Sequence, residues 1–313
     1  MTRHRILGFL AVCLALAGVA QAHPAWGIVV TRTGEVFFSD LESVWRLDQR
    51  GHLTLAVGGA VGHHVHELGI DDRDNVYGIS AAYSDAGNPI AGLWRRDTAG
   101  RVVYLVAPTE RFPRGVGVWR NSRGTTFSVE ENNHLKLETL LVTRDAASHV
   151  RVLAGGRYGF ADGAGAAARF RNIVGTTLTS AGDVYLADEF TVRRVSPSGV
   201  VTTIARLDAR DPACSSPLSF GTLFGVAVTK SHTVFVADFR QRRVVKIEPG
   251  RRPEVVMRAE APWSPTGVAV ADSGELYVLE VCSEPPNCSL KPRVRRLTRS
   301  GVVNTVAVVP SKH

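Results

Sequence analysis

Apolar and polar residues alternate along this chain in short runs, and the runs come in sets of four. "EVFFSD" (35–40), "NVYGIS" (75–80), "TTFSVE" (125–130), "DVYLAD" (183–188), "TVFVAD" (233–238) and "ELYVLE" (275–280) are six variants of one short strand. They are rich in the β-branched and aromatic residues that suit a pleated surface. Each follows an apolar segment such as "GIVV" (27–30), "ELGI" (67–70) or "GVAV" (225–228 and 267–270). A third run comes next in each set: "SVWRLD", "GLWRRD", "TLLVTR", "TVRRVS", "RVVKIE" and "RVRRLT". A fourth closes it: "LTLAVG", "VVYLVA", "VRVLAG", "VVTTIA", "EVVMRA" and "VVNTVA". Glycines at 34, 51, 100, 182, 199, 250, 274 and 301 fall between the runs, where a reversing chain favours turn residues.

Four strands per repeat, at a period of roughly 35 to 50 residues, is the pattern of a propeller blade. The fold class expected is therefore all-β: a six-bladed β-propeller of four-stranded antiparallel blades. The blades are placed at about 24–58, 64–107, 112–155, 173–206, 222–259 and 264–309, in one domain spanning 23–313. Closing the ring removes the open sheet edges that invite aggregation.

"GFADGAGAAARFRNIVGTTLTSAGDVYLADEFTVRRVSPSGVVTTIA" (159–205) resembles an NHL repeat, and so does "GVAVTKSHTVFVADFRQRRVVKIEPG" (225–250). The resemblance is close in blades 4 to 6 and looser in blades 2 and 3, whose loops are longer. It implies a six-bladed propeller, in a family that includes protein- and RNA-binding modules. Relatives of that family include the amidating-enzyme lyase, streptogramin lyase and gluconolactonase-like hydrolases.

The ends and the composition refine this picture. Residues 1–22 read as a signal peptide: Arg3 and Arg5, an apolar run of 15 residues, then Ala20-Gln21-Ala22 in the small-x-small pattern of a cleavage site. The expected location is the periplasm or the medium, with no membrane insertion. Two of the 37 basic side chains lie in that leader and none of the 29 acidic ones, leaving +6 for residues 23–313. The excess is spread over the repeats. The fourth position of the third run is basic in five copies (Arg46, Arg95, Arg194, Lys246, Arg296), and the second run ends in an acid in five (Asp40, Glu130, Asp188, Asp238, Glu280). Such repetition points to structural pairing rather than to a nucleic-acid face, which would be clustered. In an oxidising compartment "CSEPPNC" predicts a Cys282–Cys288 disulfide, with Cys214 left over.

Candidate chemistry gathers in "VGHHVHELGIDD" (61–72). Aligned on the turn residues, Trp26, His66, Arg114, Val174, Phe224 and Thr266 come just before the six innermost strands. His66 thus falls at the mouth of the central channel, His64 two residues earlier, and His63 in solvent. The loops joining second to third strands reach the same face, where "EENNHLKLE" brings Glu130, Glu131, Asn132, Asn133 and His134. The expected catalytic set is His66, Arg114 and Glu130. The expected metal ligands are His64, His66, Glu130 and His134, for one divalent ion, zinc or calcium ahead of copper. Trp26, Asp40, Glu67, Asn132, Asp188 and Asp238 complete the ligand rim, with Arg114 facing Glu67 or Glu130. The resemblance implies histidine ligands before innermost strands, as in the amidating lyase. It also offers Glu130, Asn132 and Asp188 in place of the Glu, Asn and Asp of gluconolactonase-like sites.

No nucleophile elbow of the Gly-x-Ser-x-Gly kind is present. The function expected is therefore recognition of a small molecule, peptide or partner protein at the channel mouth by a monomer. A metal-dependent hydrolase or lyase of the gluconolactonase or amidating-lyase kind is the alternative. A structural scaffold in an envelope complex is the third reading.

Overall fold

The computed structural model describes residues 24–310, except 60–62, 85, 111–117, 121–123, 133–137, 146, 148, 208–222 and 284–291. Its strands form six small antiparallel sheets arranged as a six-bladed propeller, with one short 3-10 turn at Gly165–Ala167 as the single helical element among the described residues. Each sheet is built from consecutive strands, so the first and last blades meet face to face and share no strand. Blade 4 carries a fifth strand, Gly163–Ala164, added outside its outermost strand Val200–Arg206.

The innermost strands are Ile28–Val30, Leu68–Ile70, Val118–Arg120, Ile173–Leu178, Leu223–Val228 and Trp263–Val270. Each turns into the second strand through a residue at positive φ: Gly34, Asp74, Gly124, Gly182, His232 and Gly274. Those turns stack in register around the ring, and they fix an alignment of all six blades.

That alignment exposes a ring of glycines about the axis. Gly27, Gly175, Gly225 and Gly267 occupy one equivalent position, and each approaches the backbone of the next blade's innermost strand. A Cβ on Gly27 would stand 2.8 Å from the amide of Leu68, and one on Gly225 would stand 2.8 Å from the Cα of Gly267. Side chains on Gly175 or Gly267 would collide with the carbonyls of Phe224 or Trp26. Glycine is required here for close approach of one backbone to another.

The apolar core lies between blades. Successive clusters join blades 3 and 4 through Leu141, Phe170 and Leu186, blades 4 and 5 through Ala187, Val192, Leu223 and Val236, and blades 6 and 1 through Phe38 and Leu279. Paired charges complete the blades in two layers. Near the turn between first and second strands, Arg46 binds Glu35, Arg194 binds Asp183, and Arg296 lies near Glu275. At the opposite end Asp188 holds Arg193 at 2.9 Å, Asp238 holds Arg243 at 2.8 Å, and Glu280 holds Arg293 at 2.6 Å. In blades 1, 4 and 6 the basic residue at the fourth position of the third strand therefore pairs with the acid that opens the second strand, while Lys246 of blade 5 turns to Glu248. In blades 4, 5 and 6 the acid that ends that strand pairs with a different arginine, at or near the start of the third. The antiparallel register dictates the swap, since it sets Asp238 opposite Arg243 and Glu280 opposite Arg293.

Candidate functional site

The segment 63–66 is pinned like a strand rather than looped. His64 and Ala81 exchange both backbone hydrogen bonds, at 2.6 and 2.9 Å, and the Val65 N–H donates to Leu41 O at 2.6 Å. The His66 carbonyl accepts the N–H groups of Trp26 and Gly27, both at 2.8 Å, stitching blade 2 to blade 1. This leaves three of the predicted rings together at the end of the axis. Trp26 and His66 stand 5.2 Å apart and tilted, and His64 meets His66 edge-on at 5.8 Å. Phe224 packs on Trp26 at 5.8 Å, and Phe239 packs on Phe224 at 5.2 Å. Such tilted and edge contacts are the arrangements aromatic quadrupoles favour. Trp26 and Phe224 are buried, while His64, His66 and Phe239 keep exposed surface.

Below these rings sits the residue that breaks the pattern. Glu67 takes the place that glycine holds in blades 1, 4, 5 and 6. Its side chain crosses the axis, where Oε1 accepts the Thr176 N–H at 3.0 Å. Oε2 is shielded from solvent and makes no hydrogen bond, and neither does the Thr176 hydroxyl nor the Trp26 indole N–H, which points near the carboxyl but falls short of a bond. Burial pushes the Glu67 pKa well above the usual carboxylate range, with only partial relief from the Thr176 amide and the indole. No cation among the described residues pairs with it. A channel cavity of about 650 Å³ runs from Glu67 and Trp26 to the opposite face, past Ile28, Ile70, Val228 and Val270.

Most of the expected rim is committed elsewhere. Asp40 caps its own turn, accepting from the amides of Glu42 and Ser43 and from Trp45 Nε1 at 2.8 Å. Asp188 and Asp238 are buried under their arginines, and Asp188 also accepts the amides of Arg171 and Asn172. Burial raises both carboxyls, and the Glu280 carboxyl with them, while the arginines pull them part of the way back. Glu130 accepts Arg144 at 2.7 Å and the Ser128 hydroxyl at 3.2 Å, so it faces its own blade and not His66. His63 is half-buried, its Nδ1 2.9 Å from the Ser80 hydroxyl, instead of standing in solvent. Arg114 and His134 lie outside the described residues, as do Cys214 and Cys288; the turn at Gly124 makes Val116, not Arg114, the blade-3 equivalent of Trp26 and His66. Asn132 ends the strand Thr126–Asn132. Cys282 is disulfide-bonded.

Among the described residues no three His, Cys, Asp or Glu side chains converge on one point. The gluconolactonase-like set of Glu130, Asn132 and Asp188 does not fit an ion, because Arg144 and Arg193 already hold the two carboxylates. Residue patterns set Phe224 before an innermost strand without counting it in the ligand rim, and missed Phe239 and Thr176, because only the ring closure brings blades 4 and 5 against blades 1 and 2. Glu67 was legible in part: the turn alignment sets it opposite glycines at 27, 117, 175, 225 and 267.

The architecture defines a six-bladed β-propeller. Solved structures of the same architecture include a luciferin-regenerating enzyme, which matches with a TM-score of 0.57 at 13% identity over 88% of this chain and 91% of that one. A protein assigned as a gluconolactonase matches at 0.53 and 12% identity, covering 82% of this chain and 85% of its own. A streptogramin B lyase matches at 0.52 and 12%, covering 90% and 81%. No protein-family model matches the chain, and no curated protein does. At such identities the likeness is one of fold. Among the described residues no helix is long and apolar enough to cross a membrane.

Proposed function

We propose that this chain is an exported NHL-type propeller that binds a ring-bearing small molecule, or the ring-bearing group of a peptide, at the end of the axis marked by His64 and His66. The observation that carries this reading is the continuous group of rings, His64–His66–Trp26–Phe224–Phe239, with its two ends half-buried and its centre buried. A ring sliding against it would gain stacking on a surface already ordered by packing, so little conformational entropy opposes binding. The imidazoles add hydrogen-bonding atoms at the edge, which gives direction to an otherwise apolar contact.

A second reading rests on the imidazole pair. His64 and His66 are close enough to act together as base or ligand toward a bound lactone or ester, and the enzymes among the fold neighbours make this a fair alternative by analogy alone.

Titration with dihydrocoumarin, a neutral aryl lactone, separates the two. Binding should quench tryptophan emission, raise Tm and leave the lactone intact, and His66→Ala should weaken it about tenfold without lowering the Tm of the free protein. Lactone opening that is lost in His66→Ala would replace the binding reading with the hydrolytic one. Unchanged binding in the variant, or none in the wild type, would remove the axial rings from consideration.

A further inference from the structure

Blade 2 departs from the repeat at a second place, on the flank it turns to blade 1. The residue before the aspartate that ends the third strand is Leu47 in blade 1, with Val195, Ile247 and Leu297 matching it in blades 4, 5 and 6. These are core positions in those blades. Blades 2 and 3 carry arginine instead, Arg96 and Arg144. Arg144 is satisfied within its own sheet by Glu130. The residue equivalent to Glu130 in blade 2 is Ser80, whose hydroxyl lies against His63, so Arg96 has no such carboxylate.

What Arg96 does instead is lie over the Phe37 ring of blade 1, its guanidinium carbon 5.0 Å from the ring centre. One nitrogen donates to the Asp97 carbonyl at 3.3 Å, and Nε is buried without a partner. The other acids nearby are engaged: Glu35 by Arg46, Asp74 by Arg32, and Asp48 by His52 and backbone amides. Burial and the adjacent Arg46 depress the Arg96 pKa, outweighing Glu35 and Asp97. A cavity of about 520 Å³ opens directly on this guanidinium between the two blades, walled by Phe37, Arg46, Arg50, Arg96 and Thr98.

We propose that this groove is a binding site for the carboxylate of a small organic acid, gripped by Arg96 with Arg46 and Thr98 beside it. An arginine at an apolar position, held on an aromatic face and lacking an internal counter-ion, is a fork aimed at a planar anion. The site asks for one negative charge, since Arg46 is paired with Glu35, Arg50 stands in solvent, and Arg96 is the lining guanidinium with a buried N–H and no carboxylate in contact. Glu35, Asp48 and Asp74 stand close enough to oppose a dianion such as phosphate. The groove lies on the flank of the ring, formed by the third-strand ends of blades 1 and 2, and is independent of the axial rings.

Isotope-labelled acetate and inorganic phosphate, titrated at fixed ionic strength and followed by NMR line broadening, test this. Acetate should bind the wild type more tightly than phosphate does, and Arg96→Leu should weaken acetate by about tenfold or more. Leucine is what blades 1 and 6 hold at that position, so the variant should keep its Tm. Should it not fold, Arg96→Lys keeps the charge, removes the fork and should still weaken acetate several-fold. Equal acetate binding in wild type and variant, phosphate binding tighter than acetate, or no acetate binding would each overturn the proposal.

Discussion

Glu67 is the residue with the largest departure from what its position in the repeat calls for, and its energetics follow from its surroundings. All five equivalent residues are glycines in the sequence, and at the four described ones, Gly27, Gly175, Gly225 and Gly267, the space they leave is where one blade's backbone meets the next. A carboxyl reaching across that space loses hydration and gains one backbone amide in return. Its folded-state pKa therefore stands above its unfolded one, and the folded chain holds that proton more tightly. Stability from this group is fully present below the unfolded pKa and is lost as pH rises through the folded value. Glu67→Gln should accordingly raise Tm at neutral pH by on the order of 3 °C, the shift expected for about 1 kcal/mol in a domain of this size. Near pH 4 the difference should vanish, because both side chains are then neutral. Calorimetric scans at the two pH values check this, and a constant difference at both would mean that Glu67 ionises without penalty.

At the level of the strand, the charges that the composition shows as a simple basic excess resolve into ordered pairs. The repetition of acid and base along the chain was enough to predict structural pairing, but not which residues pair. Arg193 shows why. It is fully buried, bound to Asp188 at 2.9 Å, to Asp162 at 2.8 Å and to the Ala161 carbonyl at 2.7 Å, with the Phe160 ring 4.6 Å from its guanidinium. Asp162 belongs to the added edge strand's approach and lies 31 residues upstream, so only the folded sheet makes it a partner. Arg193→Ala should cost about 3–5 kcal/mol in urea unfolding, since it strands a buried carboxylate. Arg101→Ala, breaking an exposed pair with Asp97, should leave the urea midpoint nearly unchanged, since solvent and salt screen the pair. Similar losses in both variants would contradict the distinction between the layers.

The molecule as a whole closes by backbone contact about its axis, and the glycines there carry the closure. Gly225→Ala places a methyl group against Gly267 of the next blade and should lower Tm by several degrees or prevent folding. Gly250→Ala, in a turn at φ +72° with nothing within 4 Å of the new Cβ, should cost only about 1 kcal/mol. Thermal scans of the two variants read the contrast directly, and equal losses would show that the axial ring is looser than its geometry.

Six copies of a four-strand pattern, with turn residues at fixed offsets, were sufficient to determine the propeller and its number of blades, because period-two alternation and turn chemistry are local properties of the chain. The same alignment located His64, His66 and Trp26 near the axis and placed Glu67 among glycines. Only the tertiary structure decided what these residues touch. Trp26 became buried packing, Asp188 and Asp238 became ion-pair partners, and Glu130 turned to Arg144. Phe224 and Thr176 joined the axial group from across the ring, and Arg96 met Phe37 of the neighbouring blade. Each of these contacts joins residues far apart in the chain or depends on strand register. Their partners are fixed when the blades close into a circle, and no local pattern in the sequence carries that geometry.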